Sequence, residues 1–183
     1  GVRLRWLEGE AITPEALAFF YSCYQSTYDK HWGRPYLTPD FFTQLHAQDP
    51  RCLLLVLAER DGQPLACALN VKSHDTLFGR YWGSTEFVPG LHFEACYAQA
   101  IAYCIAHGLQ VFEGGAQGEH KMARGLLPVK TQSAHWIADP RFAQAIADFL
   151  ARETQAIAGY VEELEHSSPF KPPATNPAPR TTP

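Results

Sequence analysis

Between Gly79 and Pro140 the chain gathers aromatic, acidic, basic and glycine residues around one strand-helix-strand pattern, densest at Gly114-Gly115-Ala116-Gln117-Gly118-Glu119-His120-Lys121. The run Leu109 to Glu113 ends in Gly114, Gly115 and Gly118, residues that let backbone N–H groups approach an anion or a ligand closely. Beyond them, His120 and Arg124 stand at i, i+4 and Lys121 and Arg124 at i, i+3, so a helix there carries three basic donors along one side. Such a patch suits a phosphate. Glu119 opposes an anion at that helix start, unless it orients Lys121 or His120. Two plainer readings stay open: a tight strand-to-helix turn for the glycines, and a solvated charged face for the basic residues.

Other chemistries fit the spacing less well. A metal site built from His92, Glu94, Glu119, His120 and His135 fails because His92 and Glu94 point apart on a helix and no two histidines pair at i, i+4. Cys96 and Cys104 fall on an apolar helical face, where burial raises a thiol pKa and blunts its nucleophilicity. Ser133 and His135 share the face of an expected strand, with no nucleophile-elbow motif around them.

The 183 residues, 46% apolar and 13% aromatic, suffice for one domain with a sizeable core. The net charge of −4 supplies no global field for nucleic acid or an anionic membrane. Five cysteines without a C-x-x-C spacing argue against a disulfide framework and fit a reducing cytoplasm. No apolar run is long enough to span a bilayer, so no membrane insertion is expected. A start at Gly1 rather than Met suggests a piece of a longer protein.

The elements that must position these residues follow from pattern. Val2 to Leu7 alternates as a half-buried strand. Thr13-Pro14 and Thr38-Pro39 each open a helix, the first with Leu17, Phe20, Tyr21, Tyr24 and Tyr28 down one face and the second from Asp40 to about Ala47. The aromatic and basic loop His31 to Tyr36 between them either lines a substrate entrance or packs the two helices together. Arg51 to Glu59 reads as a buried strand, Asp61-Gly62 as a hairpin turn, Pro64 to Lys72 as its partner, and Leu77 to Thr85 as a third strand. Phe93, Cys96, Tyr97, Ala100, Ile101, Cys104 and Ile105 predict an unbroken helix closed by Gly108. A strand Leu109 to Glu113, a short helix from Glu119 to about Leu126, a strand Lys130 to Ala138 and a long helix started by Asp139-Pro140 complete residues 1–166. Residues 167–183, with Pro169, Pro172, Pro173, Pro177, Pro179 and Pro183, read as a disordered tail.

This order, with the hairpin Val56 to Asn70, resembles the GCN5-related N-acyltransferase fold: an α/β (α+β) domain whose mixed, mostly antiparallel central sheet is flanked by helices. Four blocks carry a closer likeness: GRYWG (Gly79 to Gly83), LHFEACY (Leu91 to Tyr97), GGAQGEHKMARG (Gly114 to Gly125) and SAHWIADPRF (Ser133 to Phe142). Together they are similar to the FemAB-like peptidoglycan biosynthesis/recognition family, distant relatives of the aminoacyl-tRNA-dependent FemABX transferases. The chain resembles the C-terminal half of such proteins, which implies an N-terminal acyltransferase-like half in the parent. The long last helix stands where the wider fold has a closing hairpin.

The resemblance implies transfer of an acyl or aminoacyl group to an amine of a small molecule or peptide, linked to peptidoglycan, with acyl-CoA or aminoacyl-tRNA as donor and no metal. Acetyl-CoA-using members hold the pyrophosphate on an Arg/Gln-x-x-Gly-x-Gly/Ala loop before the central helix. Here that place reads Phe87-Val88-Pro89-Gly90-Leu91-His92, with one glycine and a proline that removes a donor. The tRNA-dependent relatives also do without that loop, so a tRNA-linked donor stands beside coenzyme A.

Such transfer needs a base for the ammonium proton, donors for the oxyanion and an acid for the leaving group. Glu86, Glu94 and Glu113 fall at strand and helix ends where this fold's strands splay. Glu113 is preferred as base, since it follows Val111-Phe112 in a setting where partial burial suits proton transfer; the alternative is a carboxylate satisfied by backbone N–H groups. Glu94 also fits simple helix-dipole stabilisation. Tyr81 is the candidate acid or stacking platform, and Trp82, on the opposite face of the strand, either lines the cleft or packs the core. The rival function is a non-catalytic module that binds a peptide, glycan or amino-acid-derived ligand, or a half that scaffolds an active partner half.

Overall fold

A computed structural model describes residues 1–29, 33–115, 119–166 and 170, with the backbone alone given for Glu119, His120 and Glu165. The chain divides into two compact units, Gly1–Gln117 and Gly118–Pro183.

In the first unit, β1 (Val2–Glu8), β2 (Leu53–Arg60), β3 (Gln63–Lys72) and β4 (Thr76–Ser84) form an antiparallel run, and β5 (Val111–Glu113) joins β4 in parallel, giving the order β1-β2-β3-β4-β5. The β2-β3 turn is the expected one. Asp61 at φ 52° and Gly62 at φ 78° supply the two left-handed residues that a twisted two-residue hairpin requires.

Helices cover both faces of the sheet, which is why β2 is one continuous buried apolar run rather than an alternating one. On one face, α1 (Pro14–Asp29) and α2 (Pro39–Gln48) bury Leu17, Phe20, Cys23, Tyr24 and Phe42 against Leu53, Leu55, Leu57, Cys67 and Leu69. Fully burying a side chain such as Phe20, 0% exposed, contributes about 2 kcal/mol. Both helices start as their sequences predict: Thr13 Oγ1 accepts from Ala16 N at 3.3 Å and Thr38 Oγ1 from Phe41 N at 3.4 Å. α1 crosses β4 so closely that a Cβ at Gly83 collides with the Cys23 carbonyl. Thr27 Oγ1 donates to Trp82 O at 2.8 Å across the same contact.

The opposite face carries α3 (Leu91–Phe93), a π-helical segment (Glu94–Ala98) and α4 (Gln99–His107) in succession. The helix is therefore not unbroken in register, contrary to the sequence expectation. Gln99 N–H bonds Glu94 O, five residues back, and the extra residue shifts the buried face to Leu91, Ala95, Ala100 and Cys104. Phe93 and Ile105, expected inside, are exposed at 41% and 77%. Gly108, at φ 68°, closes the helix as predicted.

In the second unit, residues Glu119–Arg124 form a 3-10 helix and α5 spans Pro140–His166. Asp139 starts α5, its Oδ1 accepting from Arg141 N at 2.8 Å. The expected strand at Lys130 to Ala138 does not form. Its side chains are exposed at nearly every position, Trp136 at 86%, so neither face of a strand would be buried there. Residues 167–169 and 171–183, read as a tail from sequence, lie outside the described residues.

Candidate functional site

The site begins with a mismatch in length. β5 pairs with β4 only over Thr76, Leu77 and Phe78, ending at Glu113, whereas β4 continues to Ser84. At that point β4 also carries a bulge. Leu69 faces Tyr81 and Asn70 faces Gly79, which leaves Arg80 as the extra residue.

Between the outgoing part of β4, the end of β5 and the π-helical turn lies a cleft of about 120 Å³, lined by Ala68, Leu69, Asn70, Gly79, Arg80, Tyr81, Trp82, His92, Cys96, Tyr97, Phe112 and Gly114. Ala68 and Gly79 leave its floor open, and the π turn, a frequent companion of functional sites, brings Cys96 and Tyr97 to its wall. Trp82 meets the His92 ring edge-on at 5.5 Å, and His92 meets Tyr97 at 5.8 Å.

Of the residues singled out in sequence, Tyr81, Trp82 and Gly114 line this cleft. Tyr81 leans into the core on the α1 side, with its ring 4.8 Å from Tyr24 and its hydroxyl 2.6 Å from the Tyr36 hydroxyl. Burial, with the Tyr36 bond, raises its pKa well above the ordinary tyrosine value, so the phenol stays protonated at neutral pH. It is an available proton donor and a poor phenolate.

Glu113 sits one residue before Gly114 at the end of β5, without itself lining the cleft. Its carboxylate takes Arg80 Nη2 at 3.3 Å and the Gly115 N–H at 3.1 Å. Glu94 is exposed and accepts from Gln99 Nε2 at 2.8 Å, and Glu86 pairs with Arg60. The three carboxylates thus do not converge: each has its own local partner. Burial pushes the Cys96 thiol up to about 12, which leaves this lining cysteine a weak nucleophile.

The basic group belongs to the second unit. Gly118 lies outside the described residues, as does the His120 side chain. The segment is 3-10 rather than α, so at three residues per turn Lys121 and Arg124 align. Ser133 Oγ and His135 Nε2 are 3.1 Å apart, both exposed and outside any strand. Among the described residues no three His, Cys, Asp or Glu side chains come together as a metal site.

Sequence reasoning missed Asn70, Arg80, His92 and Tyr97. Asn70 left a visible signal, as a polar residue closing the buried run Leu65 to Leu69. Arg80 left none, because a bulge depends on the partner strand.

The turn before helix 91–107 offers fewer backbone donors than the glycine-rich loop of the acetyl-CoA type. Pro89 has no N–H, and the Leu91 N–H is taken by Val88 O at 3.2 Å.

Solved structures share the architecture. A possible acetyltransferase from Clostridium difficile 630 matches with a TM-score of 0.57 at 9% identity over 75% of this chain and 98% of its own. An aminoglycoside acetyltransferase from an uncultured soil metagenomic sample, in complex with sisomicin, matches at 0.53 and 9% identity, over 75% and 95%. The acetyltransferase AAC(6')-Iy, in complex with the bisubstrate analogue CoA-S-monomethyl-acetylneamine, matches at 0.53 and 11%, over 76% and 99%. At these identities the likeness establishes the fold, that of the GCN5-related N-acyltransferases. No curated protein matches the sequence. Residues 1–172 match the FemAB-like family, described as peptidoglycan biosynthesis/recognition, and the chain belongs to that family.

Proposed function

We propose that this domain is an acyltransferase of peptidoglycan metabolism that moves an acyl or aminoacyl group onto an amine by direct attack. The carrying observation is the parting of β4 from β5 beyond Phe78 and Glu113, which leaves a lined cleft beside the start of a helix. Tyr81 lines the cleft where the strands part and carries its protonated phenol on the α1 side of the sheet, as acid for the leaving group of a donor that threads between β4 and β5. Glu113, tethered by Arg80 one residue from the lining, accepts the proton of the incoming amine directly or through one water. The donor is an acyl ester or thioester. The single glycine and the proline in the turn before helix 91–107 favour aminoacyl-tRNA, while the coenzyme A complexes of structural relatives favour acyl-CoA.

The test is transfer of labelled acyl groups from an acyl-CoA panel and an aminoacyl-tRNA panel to peptidoglycan stem-peptide amines. Transfer from one donor class is expected. Folded protein that transfers from neither class retires the proposal.

The second reading, a binding module for a peptide, glycan or amino-acid-derived ligand, is favoured by one observation: every carboxylate proposed for proton transfer already has a local partner. Replacing Glu113 and Tyr81 separately distinguishes the two. An enzyme loses turnover with little change in binding, whereas a binder loses affinity alone.

A further inference from the structure

Asn70 is 1% exposed and stands as the buried polar residue of a core otherwise built from apolar side chains. Its Nδ2 donates to Leu54 O at 3.4 Å, and because that carbonyl can only accept, the amide orientation is fixed with Oδ1 on the other side. Oδ1 takes no hydrogen bond from any described residue. Nor is it sealed. The fully buried polar side-chain atom left without a partner among the described residues is the Tyr24 hydroxyl, so Asn70 Oδ1 opens onto the cleft that Asn70 lines.

The neighbours reinforce this. Asn70 is paired in register with Gly79, which places no side chain over it. Rings of Trp82, Tyr97 and Phe112 surround the floor, and the lining contains no carboxylate or lysine. Its one cation, Arg80, is turned to Glu113. A buried carbonyl oxygen that lacks a donor costs stability, and an isosteric leucine would avoid that cost. A buried amide oxygen among aromatic faces is the complement of an amino group, which donates to the oxygen and lies against the π-systems.

We infer that Asn70 Oδ1 recognises a primary amino group of the guest in this cleft, making Asn70 a specificity-determining residue that selects an amine-bearing substrate over its isosteres. This rests on the cleft being the acyl-transfer site, and it adds which chemical class the site selects. The amine has two possible sources: the α-amino group of an aminoacyl donor, or the amine of the acceptor.

The experiment reads binding alone and so does not depend on turnover. The chain is titrated with L-alaninamide, with lactamide, which puts a hydroxyl in place of the amino group, and with n-butylamine, while the Trp82 indole and Asn70 side-chain amide signals are followed by NMR. At least one amine is expected to shift both signals and to bind at least tenfold more tightly than lactamide. Preference for L-alaninamide assigns the site to the donor, and preference for n-butylamine assigns it to the acceptor. Asn70→Leu is expected to lose this discrimination with its melting temperature unchanged or raised, and Asn70→Asp to keep it. Gly79→Ala is a second variant. A Cβ there sits 3.7 Å from Asn70 Oδ1 and 3.6 Å from Glu113 O, ordinary contacts that keep the fold and cover the oxygen. It too is expected to lose amine binding. Equal binding of lactamide and both amines, or discrimination that survives in Asn70→Leu, overturns the inference. Loss of transfer in the separate donor assay with amine binding intact would reject the transferase reading and leave this one standing.

Discussion

Arg80 reaches across the opening between β4 and β5 to Glu113, with Nη2 3.3 Å from Oε2 and Nη1 3.4 Å from Oε1. The guanidinium is placed there by the bulge, and the carboxylate by the end of β5. The pair fastens the mouth of the cleft at the point where backbone pairing stops.

Glu113→Gln is expected to lower turnover by about 100-fold or more if the carboxylate takes the amine proton. Both side chains are partly exposed, at 37% and 44%, so the same change is expected to alter stability by no more than about 1 kcal/mol. Transfer assays beside denaturant melts separate the two quantities. Loss of stability without loss of turnover would make the pair purely structural.

The tyrosine cluster sets the alkaline limit. Burial raises the pKa of Tyr24 and Tyr81 above the ordinary value of 10, so each contributes stability that is complete below pH 10 and is lost as pH rises toward its folded value. Absorbance titration of the native protein should show these two phenols ionising last. Tyr24→Phe removes a buried hydroxyl with no hydrogen-bond partner among the described residues and should stabilise the domain by about 1 kcal/mol at neutral pH. Destabilisation in thermal melts would count against it.

At the other end of the sheet, Glu8 accepts from Lys72 and Tyr103, each at 2.5 Å, and these bonds hold its pKa below the usual 4.5. The sign follows: Glu8 contributes stability above pH 4.5 that fades as pH falls through its depressed folded value. With the carboxylate 43% exposed, solvent screening limits the effect to roughly 1 kcal/mol. Glu8→Gln should therefore flatten the acid side of the stability profile in urea melts and leave the alkaline side to the tyrosines.

Gly83→Ala should cost about 2 to 3 kcal/mol, because the added methyl meets the Cys23 backbone carbonyl rather than a movable side chain. Comparison with Gly79→Ala, whose contacts are ordinary, controls for glycine replacement in the same strand.

What could be read from the chain was whatever local chemistry dictates. Thr-Pro and Asp-Pro helix starts, the Asp61-Gly62 turn and the apolar run of β2 each carry their own signal, and each stands where expected. Three features did not carry one. The π turn changes the period of an otherwise regular helix without a glycine or proline to announce it. Lys130 to Ala138 has the composition of a strand and nothing buries it. The cleft itself arises from strands of unequal length, a relation between distant segments, so Tyr81 and Trp82 were found and Arg80 was not.

The added residue in β4 also settles a matter of parity. Leu77 and Trp82 are five positions apart, an odd interval that in a regular strand assigns them to opposite layers. Yet Leu77 packs with Ala100 and Tyr103, and Trp82 with Ala95 and Cys96, all on the same helix. Arg80 is the odd man that makes this possible, and it simultaneously sends Tyr81 to the α1 layer. Excising that single position would straighten the strand with the indole and the phenol still in their present layers, and would remove only the guanidinium that ties β4 to Glu113.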